Sequence, residues 1–270
     1  MSQDLTRAVV LAAGRGARMR AAAPGLPLHG AQAHAADRGL KALVPFGGQP
    51  FLAHVLTELA DAGYEHVCLV TGPATVAVRE HFERAHARRL HIDFAVQDAP
   101  LGSAHALLAA ERFGAGEDIC VINADNLYPA AALRMLRGLH GSGLIGFRRE
   151  GLLQGNIDMA RIAAFAVVEH DGEGTLTGIV EKPDADTLAA AGPEALVSMT
   201  CWRFSAGIFS AIRETRQSVR GEYELPDAVR SALRRERFEV VAMNVPVLDL
   251  SVRDDIPRVE LLLRGRHVDL

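Results

Sequence analysis

Excess positive charge is missing from this sequence: 29 lysines and arginines face 33 aspartates and glutamates, for a formal net charge of −4. Without a basic footprint, nucleic acid is not an expected partner. Cysteine is scarce as well. Cys68, Cys120 and Cys201 are odd in number, far apart and set in apolar surroundings. They fit reduced, buried thiols rather than a disulfide framework or a zinc site. No apolar stretch reaches the length of a membrane span, and Met1-Ser2-Gln3-Asp4-Leu5 does not read as a signal peptide. A cytoplasmic protein without a membrane partner is therefore expected. Internal repeats and low-complexity tracts are also absent, and nothing resembles a hexapeptide β-helix.

What is present is an ample supply of apolar residues, 49% of 270, with 23% charged residues for the surface. That suits one large domain. Over the first half, short apolar runs at Ala8–Ala12, Val67–Thr71, Ile92–Val96 and Ile119–Ala124 read as strands. Helix-period stretches at Phe51–Ala62, Val76–Arg88, Ser103–Phe113 and Ala130–Leu139 lie between them. The alternation predicts an α/β fold, Rossmann-like, with a mixed, mostly parallel sheet flanked by helices. In the second half, Ala163–Glu169, Gly178–Glu181 and Val197–Phe204 read as strands without long helices between them. They predict a smaller antiparallel subregion that closes over the sheet. Helices return at Ala206–Glu214, Leu225–Arg235 and Asp254–Leu263. The expected organisation is a single domain over 1–270: a first half to about 140, a second half over about 141–250, and a C-terminal helix over 251–270.

The run Ala8-Val9-Val10-Leu11-Ala12-Ala13-Gly14-Arg15-Gly16-Ala17-Arg18-Met19 is a buried strand breaking into a small-residue loop. Such a turn either simply joins strand to helix or closes its backbone amides around an anion. Gly14 and Gly16 allow positive φ and close ligand approach, and Arg18 adds a charge suited to phosphate oxygens. The spacing is not the GxxxxGK(S/T) of a P-loop, and Met19 stands where a dinucleotide fingerprint needs a small residue. The segment Arg20 to Gly39 follows, with neither helical nor strand pattern. It reads as a mobile lid or a disordered excursion in which His29 and His34 are exposed. Removing part of Leu26–Asp37 is expected to spare the fold and alter affinity for the ligand.

Four further segments add chemistry: Lys41-Ala42-Leu43-Val44-Pro45-Phe46-Gly47-Gly48-Gln49-Pro50, Gln97-Asp98-Ala99-Pro100-Leu101-Gly102-Ser103-Ala104-His105-Ala106, Asn123-Ala124-Asp125-Asn126 and Glu181-Lys182-Pro183. Together with Leu11–Met19 and a late Asp249, this ordered set resembles the sugar-1-phosphate nucleotidyltransferases. Those enzymes make nucleotide sugars from an NTP and a sugar phosphate. Each motif alone is weak; the order is specific.

The resemblance implies roles. Asp125 and Asp249 would be Mg²⁺ ligands, with Asp254 and Asp255 as rivals to Asp249 and a helix cap as the alternative for Asp125. Arg18, Lys41 and Lys182 would be catalytic, the first two at the triphosphate and Lys182 at the sugar phosphate. Leu11, Ala12, Ala13, Gly14, Gly16, Gln97 and Gly102 would bind nucleotide. Glu181, Lys182 and Ala166 would bind sugar. The Gln97 carboxamide matches the N3–H and a carbonyl of uracil or thymine, so UTP or dTTP is the expected donor. Three departures stand out. The gap from Arg18 to Lys41 is roughly twice the family's usual one, Phe165-Ala166 replaces a Tyr-Gly pair, and Ala124 replaces a glycine before the acid. Alternatives are a polyol or amino-alcohol phosphate as acceptor, or a non-catalytic nucleotide-sugar-binding relative. A homo-oligomer would use Phe209, Trp202 and the Glu222-Tyr223-Glu224-Leu225 region.

Overall fold

The computed structural model describes residues 5–21, 28 and 30–270. Ten strands form one sheet: β1 (Arg7–Leu11), β2 (His66–Thr71), β3 (His91–Val96), β4 (Ile119–Asn123), β5 (Ser142–Arg148), β6 (Ala166–His170), β7 (Leu176–Val180), β8 (Leu196–Ser198), β9 (Cys201–Phe204) and β10 (Phe238–Met243). Their order is β7-β6-β8-β5-β9-β4-β1-β2-β3, with β10 pairing along β5. Strands β4, β1, β2 and β3 run parallel, joined by helical crossovers. At β9 the direction reverses, and β8, β6 and β7 continue antiparallel.

The apolar runs are continuous because both faces of the sheet are covered. Val10 of β1 and Ile122 of β4 pack with Leu52, Leu56 and Leu59 of the helix Phe51–Asp61 on one face. Val9 and Val121 point the other way, toward the helices Ser103–Ala109, Gly207–Glu214 and Leu225–Ala232. Alternate residues of one strand thus feed two separate cores.

The strands expected in the first half form within about two residues of the predicted limits. Four differences have physical causes. First, the antiparallel strands extend the same sheet instead of closing over it. Second, the expected strand Val197–Phe204 is two strands, because Thr200 takes a left-handed conformation (φ 62°) and shifts the register between β8 and β9. Third, β5 and β10 give no clear signal. Gly143 and Gly146 interrupt the pattern of β5, where a side chain at Gly143 would stand 2.6 Å from the Glu239 carbonyl of β10.

Fourth, the segment after Arg20 is not structureless: Gly30–Asp37 is a helix. Its alanines carry no strong periodicity, yet Ala35 and Ala36 are buried in the main core. Gln32 donates to Pro45 O (3.0 Å) and Glu260 Oε2 (2.9 Å), and Asp37 pairs with Arg253. His34 lies 3.5 Å from Arg38 Nη1, while His29 falls outside the described residues. Trp202 and Phe209 are corrected too: both are buried in the core and offer no surface to a partner. Cys68, Cys120 and Cys201 are free and buried, and burial pushes all three thiols up. Among the described residues, no helix is long and apolar enough to cross a membrane.

Candidate active site

The carboxyl ends of β1, β2 and β4 share one edge, where an open α/β sheet leaves room for a ligand. A cavity of about 530 Å³ lies there, lined by Leu11, Ala12, Ala13, Gly14, Gly16, Arg18, Lys41, Gln97, Gly102 and Asp125 among others. Of the predicted nucleotide-binding and triphosphate residues, every one borders this space.

The loop after β1 is shaped by Gly16. Its φ of +62° is left-handed, and a Cβ there would stand 2.0 Å from Gly39 O. Gly16 therefore serves the backbone crossing with Gly39 at the end of the inserted segment. Gly14 behaves otherwise: its φ is not positive, and a Cβ would meet nothing within 4 Å. The space beside Gly14 opens to the cavity. Arg18 is exposed on the short helix Ala17–Arg20 and makes no ion pair among the described residues.

Of the two predicted metal ligands, Asp125 lines the cavity and Asp249 does not, and backbone pairing sets the Asp249 segment beside Asp125. Asp125 follows β4 and accepts from Lys41 Nζ at 2.8 Å. Its carbonyl accepts from Leu250 N at 2.8 Å, and Asn126 pairs with Asp249 in a two-residue antiparallel bridge. Asp249 is only 3% exposed. Burial and then the neighbouring Asp125 charge push its carboxyl up to about 6, against the pull of Arg161. Asn156 holds the Asp249 backbone from both sides, donating to its carbonyl (2.7 Å) and accepting from its amide (2.8 Å). Ser251 Oγ donates to Asp249 Oδ1 at 2.8 Å.

Arg161 bridges Asp249 and Asp255. Asp255 is spent on that pair and on the Ser251 and Val252 amides, each at 2.7 Å, and Asp254 is exposed. Neither of these two is set beside Asp125 by the backbone bridge, as Asp249 is. Nor does Asp125 cap the helix Ala130–Arg137, whose first amide donates instead to Glu58 Oε2 at 2.6 Å. Among the described residues no third carboxylate, histidine or cysteine joins the pair to make a cluster. Two carboxylates suit a hard divalent ion that takes its remaining oxygens from phosphate and water. Arg161, Asn156 and Ser251 had no signal in the sequence, since the first two lie in a stretch without periodicity.

Gln97 sits at the far end of the cavity, 5% exposed, and its Nε2 donates to Gly102 O at 3.0 Å. The glycine at 102 has a cause besides ligand approach. Its φ is +106°, and a Cβ would stand 2.4 Å from Tyr223 O.

A second cavity, of about 270 Å³, adjoins the first and shares Ser103 and Glu222 with it. Ala166, Glu181, Thr200, Trp202, Arg220 and Glu224 are among its lining residues. Burial, then the charge of Glu224, pushes the Glu181 carboxyl up. Arg220 pairs with Glu224 at 2.5 Å. Lys182 is not brought into either cavity. It is exposed, just beyond β7, in a left-handed conformation (φ 48°) that a lysine rarely adopts. Glu222 and Glu224, expected only at an interface, line this cavity, as does Arg220, which no sequence signal singled out.

Comparison with known proteins follows from this geometry. The family model described as nucleotidyl transferase matches residues 7–245. The chain is 27% identical over 264 residues to the UTP–glucose-1-phosphate uridylyltransferase AglF of Haloferax volcanii, covering 96% of each. It is 30% identical over 270 residues to the bifunctional protein GlmU of Pelotomaculum thermopropionicum, and spans about half of that longer protein (53%, against 97% of this chain). A UTP-bound UDP-glucose pyrophosphorylase from Acinetobacter baumannii superposes with a TM-score of 0.73 at 19% identity, covering 98% of this chain and 95% of that one. At that identity the likeness is one of fold.

Proposed function

Because the chain belongs to the nucleotidyl transferase family, we propose that it transfers a nucleotidyl group from an NTP to a sugar-1-phosphate. UTP or dTTP is the preferred donor, and the products are pyrophosphate and a nucleotide sugar. The observation that carries this reading is that Asp125 lines a cavity bordered by the Gly14–Gly16 loop, with the buried Asp249 bridged to the neighbouring Asn126 and a smaller cavity for an acceptor alongside. We read it as one nucleotidyltransferase domain with two halves, in a cytoplasmic enzyme to which reduced, buried thiols are suited.

The reaction forms a bond from an acceptor phosphate oxygen to the α-phosphorus and breaks the bridge to the β-phosphate, with pyrophosphate leaving. The attacking oxygen is already anionic, so no general base is required; positioning and charge cancellation suffice. Arg18, exposed on the short helix after the loop and without an ion pair among the described residues, would grip the triphosphate. Lys41 pairs with Asp125 and would lie beside the same phosphates. Asp125 and Asp249 would hold Mg²⁺, which supplies Lewis-acid charge neutralisation at the phosphates. Gln97 reads the base. Ala166 and Glu181 line the acceptor cavity, where the carboxylate can take two sugar hydroxyls. Lys182 would reach the acceptor phosphate from the rim.

A pyrophosphate-release screen tests this, pairing four NTPs with a panel of sugar-1-phosphates in Mg²⁺. Release that requires both substrates, fastest with UTP or dTTP, is expected. No active pair would leave a binding protein as the better account.

A further inference from the structure

The proposed reaction requires the larger cavity to tell one nucleobase from another, and this inference rests on that reading. Gln97 is the polar side chain at the base end, and both hydrogens of its amide are taken. Nε2 lies 3.0 Å from Gly102 O and 3.2 Å from His105 Nδ1. The Gly102 carbonyl sets the orientation, because a flipped amide would press Oε1 against another oxygen. With the NH₂ group facing it, His105 Nδ1 accepts, and the imidazole proton resides on Nε2.

The imidazole is itself held. Its ring stacks on Tyr223, with centroids 6.4 Å apart and planes at 26°. The Tyr223 backbone is pinned at both ends, donating to Leu101 O (2.7 Å) and accepting from Ala104 N (2.9 Å). Gln97 N in turn donates to Thr71 O at 2.8 Å. Only Oε1 of Gln97 is left without a partner among the described residues, on a side chain that lines the cavity.

We infer that His105 is a positioning residue that sets the base preference. By taking the second amide hydrogen, it leaves Gln97 a pure acceptor toward the nucleotide. A pure acceptor matches the ring N3–H of uracil or thymine. Cytosine presents an unprotonated N3 at that place, acceptor against acceptor, and a site built for one hydrogen-bond pattern rejects the other. The Gly102 N–H has no partner among the described residues and stands ready for a pyrimidine carbonyl. His105 contacts the base only through Gln97.

Calorimetric titration with UTP and with CTP, in Mg²⁺, tests this on the wild type, His105→Leu and His105→Gln. The wild type is expected to bind UTP more tightly than CTP. His105→Leu keeps bulk but no acceptor, frees an N–H for cytosine N3, and narrows the preference about fivefold, the worth of one neutral hydrogen bond. His105→Gln, whose oxygen can accept, stays within about twofold of the wild type. If the leucine variant does not fold, His105→Ala carries the same expectation. Equal affinities in the wild type, an unchanged ratio in the leucine variant, or equal losses in both variants would overturn the inference. Because binding is the readout, absent turnover would count against the proposed reaction and not against this assignment.

Discussion

Asp125 is held at two atoms that serve different ends. Its carboxylate accepts from Lys41 and its carbonyl from Leu250 N, so the same residue faces the cavity and stitches the late strand pair to the early one. Replacing the carboxylate by an amide keeps the stitch and removes the charge. Asp125→Asn should therefore lower turnover by about 100-fold or more while the NTP still binds. Steady-state rates beside calorimetric binding check this, and near-normal turnover would remove the ligand assignment.

Asp249 adds a pH dependence with a definite sign. Its carboxyl is pushed up to about 6, so the neutral form gathers below pH 6, well above the usual carboxylate range. A divalent ion needs the ionised form, and proton and metal then compete. Apparent Mn²⁺ or Mg²⁺ affinity should rise by roughly tenfold from pH 5 to 7, about fivefold of it below pH 6, and level off above pH 7. Titrations at pH 5, 6, 7 and 8 read this directly, and a flat profile would contradict it. Asp125 and Asp249 were legible in the sequence because each ends an apolar run. Arg161 and Asn156 were not, because their partners at 249 and 255 lie far along the chain and no local pattern announces them.

Among the elements, strands β1, β2, β3 and β4 were legible for the same reason that they are stable. In β1, β2 and β4 both faces are buried and the sequence shows a nearly unbroken apolar run, while the edge strand β3 is half-exposed and is marked by its alternation around Asp93. β5 and β10 were hidden because glycines make room for their close pairing. The inserted helix Gly30–Asp37 escaped notice because its buried face is made of alanines, whose small size leaves little periodic signal. Its docking changes what the segment can be: Ala36 is fully buried and Asp37 is tied to Arg253, whose Nε also donates to Met19 O beside the anion loop at 2.9 Å. This part of the insertion is core, and it leads directly into Gly39 and Leu40, which line the larger cavity. Ala36→Asp should accordingly cost about 3 kcal/mol or more in urea denaturation, as an unpaired charge forced into a core does. A variant as stable as the wild type would return the segment to the role of a loose lid.

The whole molecule sets two adjoining cavities along the edge where parallel strands give way to antiparallel ones. β1 and β4 border the larger cavity, and β6 with the Arg220–Glu224 stretch borders the smaller one. The acids that would anchor the metal come from both halves of the chain and meet only in the folded sheet. Strand–helix alternation pointed to an α/β fold, and the ordered motifs to its chemistry. The acceptor cavity stayed obscure because its walls come from segments whose patterns are weak. The most direct measurement follows the label: UTP carrying radiophosphorus at the α or the γ position, incubated with Mg²⁺ and glucose-1-phosphate. The account predicts that the α label enters a nucleotide sugar and the γ label leaves as pyrophosphate, both only when the sugar phosphate is present. An α label that stays in UTP, or a γ label released as orthophosphate without acceptor, would contradict it.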